Sequence, residues 1–224
     1  MRRLSLGRWV MVLLGVSVMV GALVAAVEPY RQTRQFREVV ACEENVGGCF
    51  VREQGSIAGR RTYTTTHTDS EGHTSTTRHY EVTWQRADGS RESREVPSGF
   101  YAKVRAGQPA TLRVWRQEVV AVEAAGAREW FLPTPAGLFV VWLFVAHFGL
   151  GLLVRGLLAA RRRGPSLFFF YVLGWLVMGS GPILAGADVL ALGLSAGLDL
   201  GELVAYALLT VVGGLFVRGS FEMW

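Results

Sequence analysis

Three histidines, His67, His73 and His79, recur at even spacing beside Asp69 and Glu71. Imidazoles and carboxylates are common zinc ligands. The spacing argues against a metal. On an extended strand His73 and His79 share a face but lie roughly 20 Å apart. Bonds near ~2.1 Å cannot join them to one ion. His67 and His73 can meet only across a hairpin whose loop has an odd number of residues. We expect exposed polar residues near a hairpin tip, with no metal site and no cofactor. Gly193-Leu194-Ser195-Ala196-Gly197 fits the pattern of a nucleophile elbow. That motif needs a strand, a sharp turn, a helix and a later histidine. Its surroundings here are leucine-rich and no histidine follows. Serine catalysis is not expected, and the glycines read as a helix break or as close packing points.

His147 is the one histidine within an apolar run, about 16 Å along a helix from Ala136. Ionisable groups at that depth of a membrane are functional suspects. Asp188 and Glu202 are candidate partners for a proton or ion path. The competing reading is a neutral imidazole bonded to a helix backbone, to Tyr171 or to Tyr206. Cys42 and Cys49 are the only cysteines, with six residues between them across the turn signal Asn45-Val46-Gly47-Gly48. A disulfide is expected if that segment meets an oxidising compartment. Two free thiols or a metal pair are the alternatives, the second lacking a further thiol or a nearby histidine. No phosphate-binding glycine loop, EF-hand or HExxH motif is present.

The elements that must position these groups are set by charge and hydropathy. The 224 residues carry a net charge of +5 and a mean hydropathy of +0.29. Residues 28–131 hold 15 basic and 14 acidic side chains; the rest of the chain holds 8 and 4. The positive excess therefore lies beside apolar runs and not on a folded face, which argues against nucleic acid as a partner. Residues 9–27 form an uncharged run of about 28 Å as a helix, close to a bilayer core. A retained anchor is the reading. A cleaved signal peptide, with Val24-Ala25-Ala26 as its small-residue site, is the alternative, but its apolar region is usually only about 7–15 residues. Residues 136–160, 166–187 and 198–217 supply three further spans. Arg155 interrupts the first of these and is expected to snorkel. Gly174, Gly179, Gly181 and Pro182 are expected to kink the second. With four alternating spans, Arg2, Arg3, Arg8, Arg161, Arg162, Arg163 and Arg218 share one side, as positive-inside topology requires. Residues 1–8 and 218–224 are then cytoplasmic and residues 28–131 extracytoplasmic.

Residues 28–131 read as a small all-β domain. Residues 28–37 continue the first helix. Strands are expected at 36–42, 49–51, 61–68, 73–85, 91–96, 111–115 and 119–122, separated by turn signals such as Ala87-Asp88-Gly89-Ser90. Tyr80, Val82 and Trp84 alternate with polar residues, the mark of a half-buried strand. Seven short strands suggest a barrel or sandwich. The fold class is an α+β membrane protein with four transmembrane helices and this domain inserted after the first.

A set of short motifs follows the first apolar run: Val40-Ala41-Cys42 and Cys49-Phe50-Val51-Arg52, then Tyr80-Glu81-Val82, Ala87-Asp88-Gly89 and Gly107-Gln108-Pro109. Leu112-Arg113-Val114-Trp115-Arg116 and Val119-Val120-Ala121-Val122 come next. In this order they resemble a family of membrane proteins of high-GC bacteria to which no activity is assigned. The match covers roughly residues 8–160 and departs at Gln117, where glycine is expected. It implies a bacterial cell membrane and no substrate or cofactor. The function this supports is a non-enzymatic integral membrane protein whose outer domain binds a protein or cell-envelope partner, with the lipid bilayer around its helices. The alternatives are a small transporter or channel component built from the helices and, last, a metal-dependent extracytoplasmic enzyme.

Overall fold

The computed structural model of the protein describes residues 6–69, 72–158, 165–193 and 200–222. In chain order its elements are α1 (Leu6–Asn45), β1 (Val51–Thr68), β2 (Thr74–Gln85), β3 (Arg91–Glu95), α2 (Ser98–Lys103), β4 (Pro109–Trp115), β5 (Glu118–Ala124), β6 (Ala127–Trp130), α3 (Thr134–Leu158), α4 (Pro165–Leu192) and α5 (Leu200–Glu222). They divide into two compact units. One holds Met1–Val40 with Thr134–Trp224, and the other holds Ala41–Pro133.

In the first unit, α1, α3 and α4 are each long and apolar enough to cross a membrane, and α5 holds a shorter apolar stretch, Leu203–Gly219. Leu13, Val24, Val141, Phe169, Val211 and Leu215 stand exposed on these helices. Such a surface suits hydrocarbon and not water. Gly15 and Gly149 bring the backbones of α1 and α3 together: a Cβ on Gly15 would lie 2.6 Å from the Leu153 nitrogen, and one on Gly149 would lie 2.7 Å from the Met19 nitrogen. Small residues let helices approach this closely where no water drives them together. The helix α4 runs through Pro182 as one element, and Gly174, Gly179 and Gly181 are points of close contact with α3 and α5.

At 40 residues α1 is about 60 Å long, twice a bilayer core. The expected continuation past residue 27 is present and goes further than the sequence suggested. Residues 36–42 are helical, not a strand. The β-branched pair Val39-Val40 favours a strand in isolation, but extending an existing helix escapes the nucleation cost. The helix stops where Gly47 adopts φ 77° and the Val46 and Gly47 amides close on the Cys42 carbonyl at 2.8 and 3.2 Å.

The second unit is built on one antiparallel sheet of six strands in the order β3-β2-β1-β4-β5-β6. It is open, not the expected barrel or sandwich. Residues 49–51 and 61–68 are not separate strands; Val51–Thr68 is one strand of 18 residues. The short helix α2 and the last strand β6 have no counterpart in the sequence reading. Both sheet edges are short and charged, Arg-Glu-Ser-Arg-Glu in β3 and Ala-Arg-Glu-Trp in β6. Charge and brevity protect an edge without closure. One sheet face carries Ile57, Val82, Trp84, Leu112 and Val122, packed with Phe100 of α2 and with Phe131. Trp84 and Phe131 stack with ring centroids 5.4 Å apart. The β4–β5 hairpin closes through a two-residue turn in which Arg116 (φ 49°) and Gln117 (φ 70°) are both left-handed, and its register shifts by one residue between Arg113 and Val114. Strand twist demands this turn, and Gln117 bears the strain a glycine would relieve.

Candidate functional site

The end of α1 carries a buried charge that the sequence reading missed. Glu43 follows Cys42, and its side chain is 2% exposed. A carboxylate in the last turn of a helix meets the negative end of the helix dipole. Four donors offset this. The amides of Cys49 and Phe50 reach Oε2 at 2.8 and 3.4 Å, and Arg52 Nη2 and Arg113 Nε reach Oε1 at 2.8 and 3.1 Å. Burial pushes the Glu43 pKa up, but the Arg52 and amide hydrogen bonds with the Arg113 charge outweigh it and hold the value at about 2. Arg113 is itself buried and reaches Glu123 at 3.2 Å, which in turn meets Arg128. Cys42 and Cys49 are bonded, with Cα atoms 6.0 Å apart. The disulfide therefore fixes the loop whose amides Glu43 holds. The available signal was Arg113 between Leu112 and Val114: a cation in a half-buried strand faces away from the core and needs an acid opposite.

The three evenly spaced histidines separate. His67 is paired with Ser75 across β1 and β2, and His73 lies in the connecting loop with Nδ1 3.2 Å from Asp69. No cluster able to hold a metal ion occurs among the described residues. His79 lies at the base of the hairpin, stacked on Tyr63 at 4.8 Å. Its Nε2 is 2.9 Å from the Thr65 hydroxyl and its Nδ1 is 3.2 Å from Glu95. The Tyr63 hydroxyl donates to the same carboxylate. That bond, against burial and aided by His79, lowers the Glu95 pKa. A hydroxyl, imidazole and carboxylate in line is an arrangement used in nucleophilic catalysis. Here Thr65 is exposed on an open strand and the tyrosine shares the carboxylate, and the four side chains tie β1, β2 and β3 together as a clasp.

Beyond the clasp no other described strand pairs with the hairpin. Strand β1 pairs with β4 only over Val51 to Ser56, and β2 pairs with β3 only over Glu81 to Gln85. From the Tyr63–His79 rung to the Thr68–Thr74 rung the two strands pair only with each other. This arm is about 17 Å long. It is rich in threonine, carries Arg78 and no aliphatic residue, and is exposed on both faces.

In the helical unit His147 of α3 and Trp175 of α4 stack at 5.0 Å. His147 Nε2 lies 2.8 Å from the Trp175 carbonyl, and Trp175 Nε1 donates to the His147 carbonyl at 2.7 Å. Because a carbonyl only accepts, Nε2 carries the proton. Each ring lies over the glycine four residues beyond the other aromatic. A Cβ on Gly151 would come within 2.7 Å of the Trp175 ring, and one on Gly179 would overlap His147. Tyr171 donates to the Gly151 carbonyl at 2.8 Å. The expected bond from His147 to a helix backbone is thus present, with Trp175 as its source; Tyr206 instead meets Asp188 at 3.4 Å. Arg155 does not snorkel: it is 5% exposed with its guanidinium 5.2 Å from the Tyr171 ring centre. Gly193 ends α4 with φ 87°. Leu194 to Gly197, the Glu202 side chain and Arg161 to Arg163 lie outside the described residues.

Comparison of the chain with family models, curated proteins and solved structures finds no match. Of the features that the resemblance implies, the structure has the long apolar first helix, the Cys42–Cys49 disulfide and the antiparallel sheet that follows, and no family is assigned.

Proposed function

We propose that the chain is an integral protein of a bacterial cell membrane that crosses it four times. Both termini are cytoplasmic, and residues 28–131 are extracytoplasmic. The outer β module works by binding rather than catalysis: its hairpin arm engages a protein or envelope polymer and helps hold an assembly at the membrane. The observation that carries this reading is the arm itself. A two-stranded ribbon is marginally stable alone in water, and its unpaired edges are templates for further pairing. A partner along the arm supplies what the sheet does not. The disulfide supports the outer location, since such bonds persist in oxidising compartments. The exposed apolar side chains of α1, α3, α4 and α5 suit contact with lipid.

The test is a photoreactive side chain placed at Thr66 or Thr76, which face each other in the arm, with Arg105 on the same module as control. Illumination of intact cells should give one discrete adduct from both arm positions and none from the control. Equal products from all three positions would reject the arm as the binding element. A transporter role predicts instead that reconstituted flux is lost in His147→Ala while arm variants are unaffected.

A further inference from the structure

Arg31, Arg34 and Arg37 follow the apolar part of α1. In the topology proposed above they stand on the outer side, where the positive-inside tendency disfavours arginine. Along α1 the positions Leu23, Ala26, Val27, Tyr30, Arg31 and Arg34 advance by three and one, which places them on one helical stripe. With Phe139 and Leu143 of α3 this stripe lines a groove of about 680 Å³. Grooves of about 300–1,000 Å³ accept small ligands. Its chemistry changes along its length. The part within the apolar run is hydrocarbon, closed by Tyr30 against Phe139 at 5.7 Å. The part beyond is cationic. The only acid lining it is Glu38, 3.7 Å from Arg34 with both side chains about two-thirds exposed at 66% and 69%. A pair so long and so wet leaves the Arg34 charge largely available. Arg31 has no ion pair among the described residues.

We propose that this groove binds an anionic phospholipid. One acyl chain lies along Leu23, Val27, Phe139 and Leu143, and the phosphate sits between Arg31 and Arg34. The arrangement gives the outward arginines a counter-charge at the headgroup level, where basic side chains recognise anionic lipid. The choice of leaflet depends on the proposed topology; the binding does not. Native mass spectrometry of the full chain in detergent, with equal phosphatidylglycerol and phosphatidylcholine added, reads it directly. The wild type should retain phosphatidylglycerol in about tenfold preference, of the order set by two basic contacts. R31Q/R34Q should fall to parity, R31K/R34K should keep most of the preference, and L143W should lose retention of both lipids. Parity in the wild type, or an unchanged preference in R31Q/R34Q, would overturn the proposal. So would a dimer mass that L143W converts to monomer with lipid retention unaltered, because the groove would then belong to a second copy.

Discussion

Two polar contacts, one in each unit, solve the same problem by opposite means. Around Glu43 the module buries a full charge and surrounds it with two guanidinium groups and two amides. Between α3 and α4 the helices half-bury two stacked rings and trade N–H donors for backbone carbonyls. Breaking a buried ion pair exposes an uncompensated charge, whereas a neutral donor lost inside a helix bundle leaves a carbonyl that its own helix still satisfies. The module therefore adds one charged centre to its apolar core, while the helical unit relies on close packing.

The largest effect should follow Glu43→Ala, which leaves Arg113 buried with less than its full counter-charge. We expect a loss of about 3–5 kcal/mol, read as faster hydrogen exchange in β4 and β5 of the full chain. Glu43→Gln keeps the amide contacts and should lose less. The pH dependence has a definite sign. The folded pKa of about 2 lies below the ordinary 4.5, so Glu43's stabilisation is complete above the ordinary value and drains as pH falls through the folded one. Glu53, lowered by its Arg86 and Ala87 hydrogen bonds, acts in the same direction. The acid limb should flatten in Glu43→Gln; an unchanged limb would mean that this charge is not what the module depends on.

Removing the disulfide beside it comes next. Cys42→Ser with Cys49→Ser should cost ~2.5 kcal/mol by loss of loop closure. In the wild type both thiols should be alkylated only after reduction. If the double variant also accelerates exchange at Arg113, the disulfide and the charge form one device. If its effect stays within residues 42–49, they are independent.

In the helical unit the sensitive positions are the glycines. Gly179→Ala places a methyl group into His147 and should cost about 1–3 kcal/mol as an overpacked contact, measured by unfolding in mixed micelles. A neutral result would show that α3 and α4 separate easily, which would remove the contrast with the module.

How far these regions were legible in the sequence differs for a physical reason. The apolar helices and the strands with clean alternation, such as Tyr80 to Trp84, declare themselves through local pattern. The Cys42–Cys49 pairing followed from spacing and compartment. Residues 36–42 misled because local β preference yielded to a helix already under way. The open sheet was hidden because closure depends on how edges are protected, and β6 and α2 are too short to carry a period. Glu43 was invisible because its partner Arg113 lies 70 residues away. His147 was legible as a residue of interest, but not its reciprocal bond with Trp175, which needs glycines at matching offsets on two helices.

The smallest effect is also the sharpest test of that reciprocity. His147→Phe keeps the stack and removes one donor; Trp175→Phe removes the other. In membranes such hydrogen bonds couple by about 0.6 kcal/mol on average and at most about 1.7. Each single change should therefore cost about 0.6 kcal/mol, and because each removes a different side-chain-to-backbone bond, the two costs should add in the double variant. Single changes without cost would mean that the two rings only stack and that the bonds contribute nothing. A loss of several kcal/mol from either single change would mean that the helical unit depends on this one contact, and it would then resemble the Glu43 centre rather than contrast with it.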